Sequence, residues 1–181
     1  MSFLNRFGFG KRKENVTPEE MGSLLFSCAA RWASKDSETP SFFESIGVNV
    51  VDKRIFRQEL LIVIMYATVN IVTASINPED KASRVLDAMN NAFINRWKPE
   101  DKQKLQRYVG IRYNEYQDAQ EEKRGPNQLW PLAHHVLKNL LGKETIDETA
   151  LDAVSMTSLV DYYTSTIKAL DEVLGNLRIT Y

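Results

Sequence analysis

A single cysteine, Cys28, stands in 181 residues, so the chain can form neither an internal disulfide nor a thiolate zinc cluster. A reducing compartment, the cytoplasm, is the expectation. The only two histidines, His134 and His135, are adjacent, and neighbours on a helix point different ways. By themselves they make no two-ligand metal site. The chain also lacks a Glu-x-x-His di-metal motif, a glycine-rich phosphate loop, a Gly-x-Ser-x-Gly elbow, paired cysteines and a His-x-x-x-His spacing. No catalytic residue, cofactor or metal is assigned on these grounds, and the reading leans away from an enzyme. Internal repeats are absent as well.

An excess of one charge is also missing, since the formal net charge is −1. That balance hides an asymmetry: residues 1–13 carry Arg6, Lys11, Arg12 and Lys13 with no acid, which leaves the body at −5. A mildly acidic body is poor material for meeting phosphates, so nucleic acid is not an expected partner. Met1 to Lys13 lacks the unbroken apolar stretch of a signal peptide, because Asn5, Arg6, Gly8 and Gly10 interrupt it. Its Phe3, Phe7 and Phe9 beside Lys11, Arg12 and Lys13 suit a flexible tail over residues 1–16, with a membrane-surface contact as the functional alternative.

What the chain has is one long apolar run. Between Glu59 and Glu79 no side chain is charged, and Leu60 to Met65 is apolar without a break. A segment apolar on every side needs enclosure by protein or lipid. It reaches the roughly 18-residue length of a membrane span. Five polar side chains (Thr68, Asn70, Thr73, Ser75, Asn77) and the amphipathic segments on both sides favour a buried core helix over about 53–75, capped by Asp52.

Those flanking segments have clear start signals. Thr17-Pro18-Glu19-Glu20 is a capping box with proline in the first turn, and Met21, Leu24, Leu25, Cys28, Ala29 and Trp32 follow on one face. Asn77-Pro78 and Lys98-Pro99 open two further helices, whose short linker predicts a helical hairpin. A fifth helix carries Leu132, Ala133, Val136, Leu137 and Leu140 inward, with His135 outward, and ends at Gly142. Thr145 and Glu148 cap a sixth, where Met156, Val160, Tyr163, Ile167, Leu170 and Leu174 alternate in steps of four and three. Gly175 is expected to end it, with residues 176–181 a tail.

Two features point to candidate sites. On the central helix Glu59, Tyr66, Asn70 and Thr73 fall on one line at 100° per residue. On the fourth helix Arg112 lies within an apolar arc of Leu105, Tyr108, Val109, Tyr113, Tyr116 and Ala119. An arginine directed at a core needs a carboxylate, and Glu59 is the partner expected.

The expectation is therefore an all-α single domain over 17–175, six helices packed as a bundle around the central one. The preferred function is a non-enzymatic interaction module that binds another protein, with Arg112, Tyr113 and Tyr116 as contact residues. A homo-oligomer through helix faces is a further possibility. The alternatives are a small-molecule-binding bundle or an unusual enzyme, with a slot between the central and fourth helices lined by Glu59, Tyr66, Asn70 and Arg112, and a membrane-surface protein held by its N-terminal tail.

Overall fold

A computed structural model describes residues 14–39, 53–96, 98–122, 129–142 and 150–180. Among them lie six α-helices and two short strands: β1 (Glu14–Val16), α1 (Pro18–Asp36), α2 (Lys53–Ser75), α3 (Glu79–Ile94), α4 (Pro99–Glu121), α5 (Trp130–Leu141), α6 (Ala150–Gly175) and β2 (Leu177–Ile179). The protein is an all-α helical bundle.

The uncharged run becomes α2, and each of the other five helices touches it. Its length and composition alone would let it cross a bilayer, but 67% of its most apolar window is buried against the rest of the chain. Phe56, Leu60, Ile62, Ile64, Met65, Ala67 and Val72 are fully enclosed. Burying a leucine- or isoleucine-sized side chain stabilises by about 1.5–3 kcal/mol, so this helix is the largest single contributor to the core.

α1 begins as its capping box requires. The Thr17 hydroxyl accepts from Glu20 N at 3.2 Å, and Thr17 N donates back to the Glu20 carboxylate at 2.8 Å. Its buried face holds Met21, Leu25, Cys28, Ala29 and Trp32, and burial pushes the Cys28 thiol up to about 11. Cys28 is a core residue.

α3 runs along α1, and the fit between them is unusually close at Gly22. A Cβ there would lie 2.3 Å from the Val85 carbonyl oxygen and 2.7 Å from Ala88 Cβ. α3 makes few contacts with α4, so the expected hairpin of these two helices is corrected: the long partner of α3 is α1. Apolar area decides this, because Val85, Met89 and Phe93 face α1 while α4 turns its own apolar arc elsewhere.

Other expectations shift at element ends. Pro78, rather than Asn77, occupies the N-cap position of α3. Gly142 closes α5 in the left-handed region at φ 63° as expected, whereas Gly175 stays within α6 with no positive φ. Asp52 and the Thr145–Glu148 box lie outside the described residues, as do Phe3, Phe7, Phe9, Lys11, Arg12 and Lys13.

The segments expected as tails are ordered where they meet. β1 and β2 pair in parallel, Glu14 with Leu177, Asn15 with Arg178 and Val16 with Ile179. Thr180 N then donates to Val16 O at 2.9 Å. Three residues are too few to show a two-residue alternation, and only Leu177 of β2 is buried.

Candidate functional site

The polar side chains of α2 converge on α4, and they do so as two adjoining clusters. The first is centred on Glu59, which is 1% exposed in the first half of α2. Arg112, one position from the inward face of α4, meets it: Nε stands 3.3 Å from Oε2, and Nη2 donates to Oε1 at 3.3 Å. The Tyr108 hydroxyl, one turn earlier on α4, donates to the same Oε1. Nη2 also donates to Tyr108 Oη at 3.0 Å, and the guanidinium carbon lies 4.9 Å from that ring's centre. The expected pair of Arg112 with Glu59 is thus present, and the arginine also stacks on an aromatic ring.

Arg112 has a second carboxylate. Nη1 donates to Glu115 Oε2 at 2.8 Å, and Asn139 of α5 donates to that oxygen at 3.2 Å and to Tyr116 Oη at 3.3 Å. One cation therefore holds two acids and ties α2, α4 and α5 together. The two carboxyls respond in opposite directions. Burial holds Glu59 above the usual carboxylate range, outweighing the lowering influence of Arg112. Burial raises Glu115 too, but the bonds from Arg112 and Asn139 and the nearby positive charges outweigh it, and Glu115 is lowered.

The second cluster lies further along α2. Tyr66 Oη donates to Gln120 Oε1 at 2.9 Å. Asn70 Nδ2 donates to Tyr163 Oη of α6 at 3.0 Å and to Gln120 Oε1 at 3.4 Å, while Gln120 Nε2 donates to Tyr163 Oη at 3.2 Å. The Tyr66 ring packs against Tyr113 and Tyr116 with centres 5.6 and 5.4 Å away. Burial drives the Tyr113 and Tyr116 hydroxyls above their ordinary range and pushes Tyr163 up to about 12. These phenols stay neutral at physiological pH.

The structure thus brings Glu59, Tyr66, Asn70, Arg112, Tyr113 and Tyr116 into one seam. Thr73 is the exception: the line leaves the bundle before it, and Thr73 is exposed. Tyr116 is 0% exposed, and Tyr113 is half-buried with its hydroxyl enclosed. The α4 arc that carries them faces α2, where both rings pack against Tyr66. Tyr108, Glu115, Gln120, Asn139 and Tyr163 belong to the seam and were not singled out from the sequence. The fourth-helix arc contained Tyr108 and the apolar seam of the sixth helix contained Tyr163, and the others appear only when the helices are docked.

Two further groups sit apart. The Tyr162 hydroxyl donates to Asp36 Oδ2 at 2.9 Å, joining the end of α1 to α6, and burial raises the Asp36 carboxyl. His135, expected outward, is half-buried with its Nδ1 enclosed, and its ring lies edge-on to His134 with centres 5.9 Å apart. Burial, then Lys138 and His134, lower its basicity. Among the described residues, no group of three His, Cys, Asp or Glu side chains is placed to hold a metal ion.

An apolar crevice of about 10 Å³ between Leu60, Val63, Val136 and Val160 has room for about one water. A cleft of about 370 Å³ opens where α2, α6 and β2 end, floored by Met21, Ile76, Leu174 and Leu177 and rimmed by Lys81 and Asp171. Neither this cleft nor the crevice reaches Glu59, Tyr66, Asn70 or Arg112. The chain matches no family model, and no curated protein or solved structure is similar to it at a significant level.

Proposed function

We propose that this bundle is a non-enzymatic interaction module of the cytoplasm that binds another protein through a helix face. One observation carries the reading: the polar and titratable side chains that would make a reactive site bond to one another inside the seam. A carboxylate held by an arginine and a phenol, and phenols held neutral by burial, give the fold rigidity and uniqueness rather than chemistry. The seam pins α4 by its inner side. The outer side of α4 keeps a large apolar side chain in water, Ile111 at 47% exposure. A rigid helix that presents its free side at little conformational cost is a suitable recognition element.

The test uses the full chain immobilised in a native cell extract, wild type beside Ile111→Glu. A protein retained by the wild type and lost from the variant, with unfolding temperatures equal, supports the module. The same retained set from both, matching an unrelated control bundle, overturns it.

The cleft beside β2 favours a second reading, small-molecule binding. Its volume lies within the range of ligand sites, and an apolar floor under a charged rim fits a ligand with an apolar body and a charged end. Thermal unfolding with a panel of medium-chain carboxylates and amines tests it, alongside Leu174→Trp, which fills the floor. Stabilisation of the wild type but not of the filled variant supports the reading, and no shift across the panel removes it.

A further inference from the structure

Charges that nearly cancel over the whole chain are separated along the bundle. α2 and α4 run parallel, since Glu59 meets Tyr108 and Arg112 while Tyr66 and Asn70 meet Gln120. α6 runs the same way: Leu60 shares the apolar crevice with Leu159, Asn70 bonds Tyr163, and Ile76 shares the cleft with Leu174. The N-terminal turns of these three helices therefore lie at one end. That end carries exposed Lys53, Arg54 and Arg57 on α2 and exposed Lys98, Lys104 and Arg107 at the start of α4, and the exposed acids among the described side chains there are Glu100 and Asp101. Around the cleft at the far end, exposed Glu19, Glu20, Glu79, Asp80, Asp171 and Glu172 outnumber Lys81, Arg84 and Arg178. Helix stability does not explain the basic end. A helix N-terminus is the positive end of the dipole and favours acids, yet the first turn of α2 has no acid and begins Lys53-Arg54. Among the described residues Lys53, Arg57, Lys104 and Arg107 join no ion pair within the chain. Two of the three large apolar side chains exposed among the described residues also lie here, Ile55 at 49% and Val154 at 61%.

We infer that this basic end is a docking surface for an anionic lipid bilayer, on which the bundle stands upright. The inference goes beyond protein binding and uses a different surface from Ile111. Lys53 to Arg57 spans about 6 Å of helix axis and Lys104 to Arg107 about 4.5 Å, so all four charges fall within the screening distance of roughly 10 Å from a headgroup plane. Their flexible stems carry the charge further toward it. Ile55 and Val154 then enter the boundary between headgroups and acyl chains, and three helix N-termini add their positive dipole ends. The acidic end points into water, so the charge separation orients the molecule as well as attracting it. Exposed apolar side chains among the cations favour lipid over nucleic acid, whose phosphates offer them nothing. The cations come from separate helices around a blunt end, which suits a continuous surface rather than one acidic peptide, and the cleft that could grip a strand lies at the other end. This surface is also separate from the N-terminal tail. The tail joins the body at β1, beside β2 at the acidic end, and the 23 residues of α2 set about 34 Å between the two ends.

Co-sedimentation of the full chain with vesicles tests it, using phosphatidylcholine alone and phosphatidylcholine with roughly 30% phosphatidylserine. The wild type is expected to pellet with the anionic vesicles and not with the neutral ones, and to be released by high salt. Each cation close to an anionic surface strengthens partitioning by about fivefold, so Lys53→Glu with Arg57→Glu is expected to weaken it by about 25-fold or more. Ile55→Asn with Val154→Asn is expected to weaken it at unchanged net charge. In the tail, Lys11→Glu, Arg12→Glu and Lys13→Glu together are expected to change it by less than about twofold, because those positions precede β1 at the end held away from the membrane. Circular dichroism confirms folding, and Lys104→Glu with Arg107→Glu replaces the first variant if that one does not fold. A wild type that stays in the supernatant, or pellets equally with neutral vesicles, overturns the inference. So does a tail variant that loses binding while the body variant keeps it. A wild type that binds a DNA duplex but no vesicle overturns lipid docking in favour of nucleic acid. The Ile111→Glu comparison is read on another surface, so the two readings fail separately.

Discussion

Arg112→Ala is expected to destabilise the protein by about 3–5 kcal/mol at neutral pH, read from urea unfolding. The loss comes less from the contacts removed than from what remains. Glu59 would stay enclosed at 1% exposure with its cation gone and only the Tyr108 hydroxyl to hold it. Burial, already the leading influence on this carboxyl, then acts without its main opponent, and the neighbouring Glu115 raises it further. The sign of the pH dependence follows. A carboxyl raised in the folded state contributes stability below its unfolded range, near pH 4.3, and that contribution is lost as pH rises through the folded value. The deficit of the variant relative to wild type should therefore shrink on acidification from pH 7 toward 5. In the wild type Glu115 works the other way, since its lowered value gives stability above the unfolded range that is lost as pH falls. Replacing both partners, Glu59→Gln with Arg112→Met, should recover most of the loss, because no buried charge is left alone. A loss below about 1 kcal/mol in Arg112→Ala would show that the pair does not hold the seam.

Gly22→Ala adds one methyl group and is expected to cost about 3 kcal/mol, the upper part of the range for overpacking. A new Cβ would meet the Val85 carbonyl at 2.3 Å and Met89 N at 2.8 Å, and both are backbone atoms that cannot rotate away. Relief requires α3 to move off α1, which opens the packing of Met21, Leu25, Val85 and Met89. Helix propensity alone predicts the opposite sign, because alanine is favoured over glycine by about 1 kcal/mol in a helix interior. A rise in unfolding temperature would mean that the helices sit further apart than described, and a fall of several degrees would confirm the close approach.

These two residues show what could and could not be read beforehand. The Glu59–Arg112 pair was legible because each residue is a costly exception on its own helix: a carboxylate opening an uncharged run and a guanidinium within an aromatic arc. Two such exceptions seek each other. The capping box at Thr17 and the extent of α2 were legible for the same reason, being local signals. Gly22 was not, since a glycine among helical residues looks the same whether a neighbour crosses there or not. The wheel set Thr73 in line with Glu59, but an angle says nothing of where the neighbouring helices stop. Tyr163 looked like part of an apolar seam, and its hydroxyl acquires a role only once Asn70 and Gln120 stand opposite. Asn139 and Glu115 need the α4–α5 docking before they share a proton donor and an acceptor. Absences in the sequence narrowed the chemistry, yet the interior that replaced it is a matter of which faces meet.

The strand pair has a consequence for the order in which the chain comes together. Residues 14–16 and 177–179 close a loop of about 160 residues, and loop-closure entropy grows with each doubling of length by about 0.6 kcal/mol. Three residues on each side cannot offset that cost by themselves. The pair depends on the bundle having already brought its two ends together, with Leu177 6% exposed against the core. It is a late latch, and whatever loosens the start of α1 or the end of α6 releases both strands at once.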